Sequence, residues 1–146
     1  MQRLHVSSIL PLLVAPPARN LKGDVDMLNA AASAGVAVVA VLHVVFFVLE
    51  SLLWTRPFGR RVFGMSRELS EATKSLAVNQ GVYNLFLAAG LVWSLFPSGY
   101  AFPLKVFFLA CVIVAGLVGG ATAKRSILWI QALPAVVALS LVLAAR

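Results

Sequence analysis

The sequence predicts an all-α fold, an integral membrane antiparallel four-helix bundle. Apolar residues gather in four continuous runs, 30–53, 76–96, 104–121 and 127–145. Each is close to the ~20 residues that a helix needs to cross a ~30 Å hydrocarbon layer. The charge falls mostly in the connections between runs, and those connections are short, which makes consecutive helices antiparallel neighbours.

The composition excludes the other classes. Hydrophobic residues make up 61% of the chain and charged residues 12%, with a mean hydropathy of +0.95. A soluble domain has about 45–50% and 25%, so a soluble fold would leave apolar surface with nothing to cover it. The runs do not alternate, which excludes a transmembrane β-barrel. The net charge of +7 sits beside the spans and reads as topology rather than as a nucleic-acid footprint.

Residues 1–26 differ from the rest. Their apolar stretch is broken by Pro11, is followed by Pro16 and Pro17, and is too short to span. They read as a disordered tail or a mis-assigned start, with Met27 opening a single four-span domain over 27–146. The first span ends on Trp54, Thr55, Arg56 and Pro57, an interfacial aromatic, a cation and a helix breaker. Phe58 to Gly64 reads as a segment along the headgroups. Ser66 reads as an N-cap, with Glu68 and Glu71 in the first turns, where negative charge suits the helix dipole. The second span follows. Pro97, Ser98, Gly99 and Tyr100 form a tight turn, and Lys105 can snorkel from the third span. Thr122 to Ser126 form a shorter connection into the fourth.

Connections one and three hold Arg56, Arg60, Arg61, Arg67, Lys74, Lys124 and Arg125. Four spans put both on one face, which should be cytoplasmic, with both termini outside.

The first span carries two ionisable groups, His43 and Glu50, two turns apart and so on one face, about 10 Å apart along the axis. A charge in the bilayer core costs roughly 2.5–3.5 kcal/mol, and less toward the interface, so Glu50 should face the bundle interior, find a donor, or hold a proton. Asn79, Gln80, Tyr83 and Asn84 on the second span are candidate donors, and Gln131 on the fourth lies at similar depth. Counting from the boundary puts Glu50 level with Asn79 and His43 level with Phe86. The same residues admit a plainer reading: amide contacts between helices, a packed tyrosine, Glu50 paired with Arg56 or Arg60, and a neutral core histidine. Gly116, Gly119 and Gly120 read as a helix-packing face within the bundle or in a homo-oligomer. Cys111, the single cysteine, reads as a packing residue. No metal quartet and no cofactor motif is apparent.

Several blocks carry a family likeness: His43 with Leu49-Glu50, Leu53-Trp54-Thr55-Arg56-Pro57-Phe58-Gly59-Arg60, Asn79-Gln80-Gly81-Val82-Tyr83-Asn84, Cys111 to Gly116, and Gln131-Ala132-Leu133-Pro134-Ala135. Over about Met27 to Leu143 the chain resembles the bacterial membrane family called domain of unknown function 1304. The resemblance implies a small four-helix inner-membrane protein with no established activity, and residues 1–26 fall outside its pattern.

Three functions stand open from the residues. The chain could bind a small ligand, cation or proton in a polar pocket in the cytoplasmic half of the bundle. It could be a membrane enzyme using Glu50 and His43 as acid and base on a lipid-soluble substrate. It could be a structural or partner-binding protein docking through its glycine face. Its partners on this reading are the lipid bilayer and a second copy, with no nucleic acid.

Overall fold

The computed structural model describes residues 21–146, and the earlier part of the expected tail lies outside the described residues. All the elements among the described residues are helical. The first helix, α1, runs Leu21–Phe47 and continues through a widened π-helical turn, Val48–Leu52. It begins well ahead of residue 30, where the apolar run starts. Asp24 in its first turn offsets the positive end of the helix dipole, and hydropathy marks lipid contact rather than where a helix begins.

Two short helices fold the first connection back. Pro57 opens α2, Pro57–Phe63, at a position where its missing N–H costs nothing. Gly64 closes α2 with φ of 69°, a left-handed conformation open to glycine, and the Met65 N–H bonds the Arg60 carbonyl at 2.9 Å. The next helix, α3, spans Arg67–Ala72, and its N-cap Ser66 accepts the Leu69 N–H at 3.1 Å. After a break at Thr73 come α4, Lys74–Trp93, and α5, Ala101–Thr122. A second π turn, Leu128–Ala132, leads into α6, Leu133–Ala144. Pro134 accounts for that second widening: it cannot donate to the carbonyl four residues back, and its ring pushes against that carbonyl.

Three of these helices, Leu21–Leu52, Lys74–Trp93 and Ala101–Thr122, are long and apolar enough to cross a membrane. The last apolar helix, Leu128–Ala144, is shorter than the 127–145 run from which it forms.

The contacts between helices run antiparallel. Along α1 and α4, Trp54 meets Thr73, Ser51 reaches Val78, and the Phe47 carbonyl lies against Gly81. Along α5 and the last helix, Gly120 lies on Leu128, Gly119 on Ile127 and Gly116 on Ala132. Gly35 of α1 faces Ala138 of α6, and Gly90 of α4 lies under the Phe108 ring of α5.

Buried positions recur at three- and four-residue steps: Ala32, Val36, Val39 and His43 on α1, and Ala77, Gly81, Asn84, Ala88 and Leu91 on α4. These are seam positions of the kind that hold helices at shallow crossing angles. The residues on them are mostly small, while large apolar side chains such as Val38, Phe86, Trp93, Phe107, Leu117 and Trp129 face outward. Small seams with large outer faces suit association in lipid, where close backbone approach does the work that the hydrophobic effect does in water.

Candidate functional site

Glu50 sits inside the π turn that ends the first helix. The Leu53 N–H reaches back to the Val48 carbonyl at 3.1 Å, five residues rather than four, so the turn holds one residue more than an α turn would. Turns of this kind concentrate at functional sites.

Across the helix contact, Asn84 Nδ2 donates to Glu50 Oε2 at 2.7 Å. The backbone register of α1 against α4 puts Glu50 near Asn79 in depth, as the residue count expects, yet its partner is Asn84. Helical side chains lean toward the N-terminus of their own helix. In an antiparallel pair, Glu50 and Asn84 therefore lean toward each other and close an axial offset of more than one turn. Asn84 is 5% exposed, whereas Asn79 and Gln80 are exposed and Tyr83 is 55% exposed, edge-on to Phe86 at 6.3 Å.

The helix wheel explains the split. At 100° per residue, Thr73, Ala77, Gln80 and Asn84 share one face of the α3–α4 segment, while Asn79 and Tyr83 lie about 80–120° away. That face borders an open groove of about 240 Å³ lined by Glu50, Trp54, Thr73, Leu76, Ala77 and Gln80. Of the residues expected to meet there, Glu50 and Gln80 line the groove and Asn84 braces Glu50. Asn79 and Tyr83 are not among its lining residues. Nor is Gln131, which is half-buried in the second π turn.

His43 is fully buried one turn and more above. Its Nδ1–H donates to the Val39 carbonyl at 2.8 Å, and its ring stands edge-on to Phe46 at 5.5 Å. Nε2 has no hydrogen-bond partner among the described residues. A ring that donates backward along its own helix is held in one tautomer, with Nε2 left as a bare acceptor.

The residue count overlooked Trp54 and Thr73 as walls of the site. The Trp54 Nε1–H donates to Thr73 Oγ1 at 3.0 Å, and that hydroxyl donates on to the Leu69 carbonyl at 2.7 Å. Phe63 packs against the indole at 4.7 Å between centroids, and Arg60 Nη1 donates to the Thr55 carbonyl at 2.8 Å. Gly59 fits under the Leu53 carbonyl where no side chain would. The first connection is thus a folded cap that fixes the indole at the groove. The signal for it was the seam spacing of Thr73, Ala77, Gln80 and Asn84.

Gly116, Gly119 and Gly120 all lie against the last helix of the same chain. A Cβ at Gly116 would stand 2.8 Å from the Ala132 backbone nitrogen. No group of three or more His, Cys, Asp or Glu that could hold a metal occurs among the described residues.

Comparison with known proteins places the chain near others without an assigned activity. The family described as "Protein of unknown function (DUF1304)" matches residues 37–143. The "Uncharacterized protein YpaA" of Lactococcus lactis subsp. lactis (strain IL1403) is 29% identical over 103 residues, which cover 69% of this chain and 87% of that protein. No solved structure matches.

Proposed function

This chain belongs to the family described as Protein of unknown function (DUF1304), and from that premise we propose that it is a bacterial inner-membrane binding protein. On this reading four helices cross the bilayer as an antiparallel bundle, connections one and three face the cytoplasm, and Glu50 takes up a cation or proton at the groove. The observation that carries the reading is the Glu50–Asn84 hydrogen bond beside an open groove, with the carboxylate set in a widened turn. A carboxylate within a membrane span is costly, and such groups by default mark sites that bind ions, protons or ligands. Asn84 holds one carboxylate oxygen and so aims the other.

The test is a titration of the protein in nanodiscs with Na⁺, K⁺ and acid, following the Asn84 side-chain amide resonances. A saturable shift is expected, absent in Glu50→Gln. Resonances that ignore every titrant, or that respond equally in Glu50→Gln, would defeat the reading.

A further inference from the structure

We propose that the Glu50 groove takes a lipophilic organic cation, an alkylammonium headgroup seated between the Glu50 carboxylate and the Trp54 indole, with its apolar tail leaving over Leu76. The inference rests on the reading above, that Glu50 is the binding group, and narrows it to one chemical class.

No cationic side chain pairs with the Glu50 carboxyl group among the described residues. Among the described residues the only side-chain partner at Glu50 is the Asn84 amide. Arg60, on the neighbouring cap, spends Nη1 on the Thr55 carbonyl instead. A half-buried carboxylate without a counter-charge attracts a cation that can enter beside it.

The second wall is aromatic and fixed. The face of an indole is the best aromatic surface for a cation. This indole is held in place by the bond from its N–H to Thr73 and by Phe63 packed against it. A wall positioned before the ligand arrives avoids an ordering cost on binding.

The lining argues against calcium and magnesium. Calcium takes six to eight oxygen ligands and magnesium wants near-ideal octahedral geometry. Here one carboxylate, one hydroxyl and one amide line the groove together with Leu76, Ala77 and the indole. An alkylammonium makes no such coordination demand. Size and exit agree: a groove of about 240 Å³ falls below the ~300 Å³ typical of pockets that enclose a whole drug-sized molecule. It accepts a headgroup only. Leu76 at the rim is 70% exposed and offers an apolar path for a tail.

The experiment uses the full chain in nanodiscs, with hexyltrimethylammonium as the probe and its N-methyl resonance as the readout. Empty nanodiscs correct for partitioning. A neutral isostere, carbon in place of nitrogen, separates charge from shape. Saturable binding of the cation is expected, with none of the isostere. Glu50→Gln should weaken binding about tenfold or more, and Trp54→Leu about three- to thirtyfold, the range of a cation–π contact removed from water. Thr73→Val frees the indole N–H but keeps the ring, and should weaken binding less than Trp54→Leu. Backbone amide resonances of α5 and α6, away from the groove, report that each variant keeps its fold. Equal binding of cation and isostere, or parental affinity in Trp54→Leu, overturns the proposal. If Na⁺ or protons shift the Asn84 amide through Glu50 while the probe does not bind, this inference falls and the broader reading stands. If no titrant depends on Glu50, both fall.

Discussion

Glu50 and Asn84 meet across two helices because each side chain leans toward its own N-terminus, and one hydrogen bond at 2.7 Å records the result. Contacts of this kind in membrane helices are worth about 0.6–2 kcal/mol. Asn84→Leu is therefore expected to lower unfolding stability by about 1–2 kcal/mol, measured by steric trapping in detergent or bicelles, because it also strands the carboxylate. Glu50→Gln keeps an acceptor and should cost less. An Asn84→Leu protein as stable as the parent would remove the contact from the account. His43 poses the reverse case. Its Nε2 is buried without a partner among the described residues, so His43→Leu trades a small packing loss for relief of an unpaired acceptor. The change should stay within about 1 kcal/mol by the same measurement, and a loss of 3 kcal/mol would mean that Nε2 makes a bond in the folded protein. His43, Glu50 and Asn84 were legible as candidates because ionisable and amide groups are conspicuous in apolar runs. Which amide serves Glu50 was not, since Asn79 and Asn84 differ by rotation about the helix axis, and that angle is set by packing.

At the scale of the helix, small residues decide contact. Ser51 and the Phe47 carbonyl press on Gly81 so closely that no side chain fits between them. Gly81→Val is expected to cost about 1–3 kcal/mol or more as overpacking, whereas Gly99→Ala, with nothing within 4 Å of an added Cβ, should be neutral within about 0.5 kcal/mol. Thermal unfolding in detergent compares the two, and an equal effect would contradict the packing described. The short α3 offers a pH test. The Glu68 carboxyl is held below its ordinary value of 4.5, first by a hydrogen bond from its own backbone N–H and then by the Ser66 hydroxyl. A lowered value means that the first turn is favoured above about 4.5 and loses that support as pH falls through the folded-state value. Amide exchange at Glu68, corrected for intrinsic rates, should show less protection at pH 3 than at pH 6, and Glu68→Gln should abolish the difference. The N-cap at Ser66 was readable as a local pattern. The π turns were not: Pro134 hints at the second, but no residue between Val48 and Leu52 announces the first.

For the molecule as a whole, three membrane-length helices and a shorter fourth leave one topological question open to a direct check. With Cys111 replaced by Ser, single cysteines at Ser66, Gly99, Lys124 and Arg146 can be labelled in sealed inverted vesicles with a membrane-impermeant maleimide. Four crossings put Ser66 and Lys124 on one side and Gly99 and Arg146 on the other. Labelling of Lys124→Cys and Arg146→Cys from the same side would show that Leu128–Ala144 does not cross. The glycine face makes a further statement at this scale. Gly116, Gly119 and Gly120 are occupied by the last helix of their own chain, so Gly116→Val should lower stability equally at high and low protein-to-lipid ratios. A loss that disappears on dilution would assign the stripe to contact between copies.

Sequence alone determined that this chain is helical and apolar, where its lipid-length runs lie, and that His43 and Glu50 stand out within the first of them. These follow from composition and local order, which need no knowledge of neighbours. Only the tertiary structure decided that Asn84 serves the carboxylate, that Trp54 and Thr73 wall the groove, and that the glycines face inward. In helices apolar on every side, polarity does not distinguish inside from outside. The distinction rests on side-chain size along a three-four seam, and it takes effect only when two helices lie against each other.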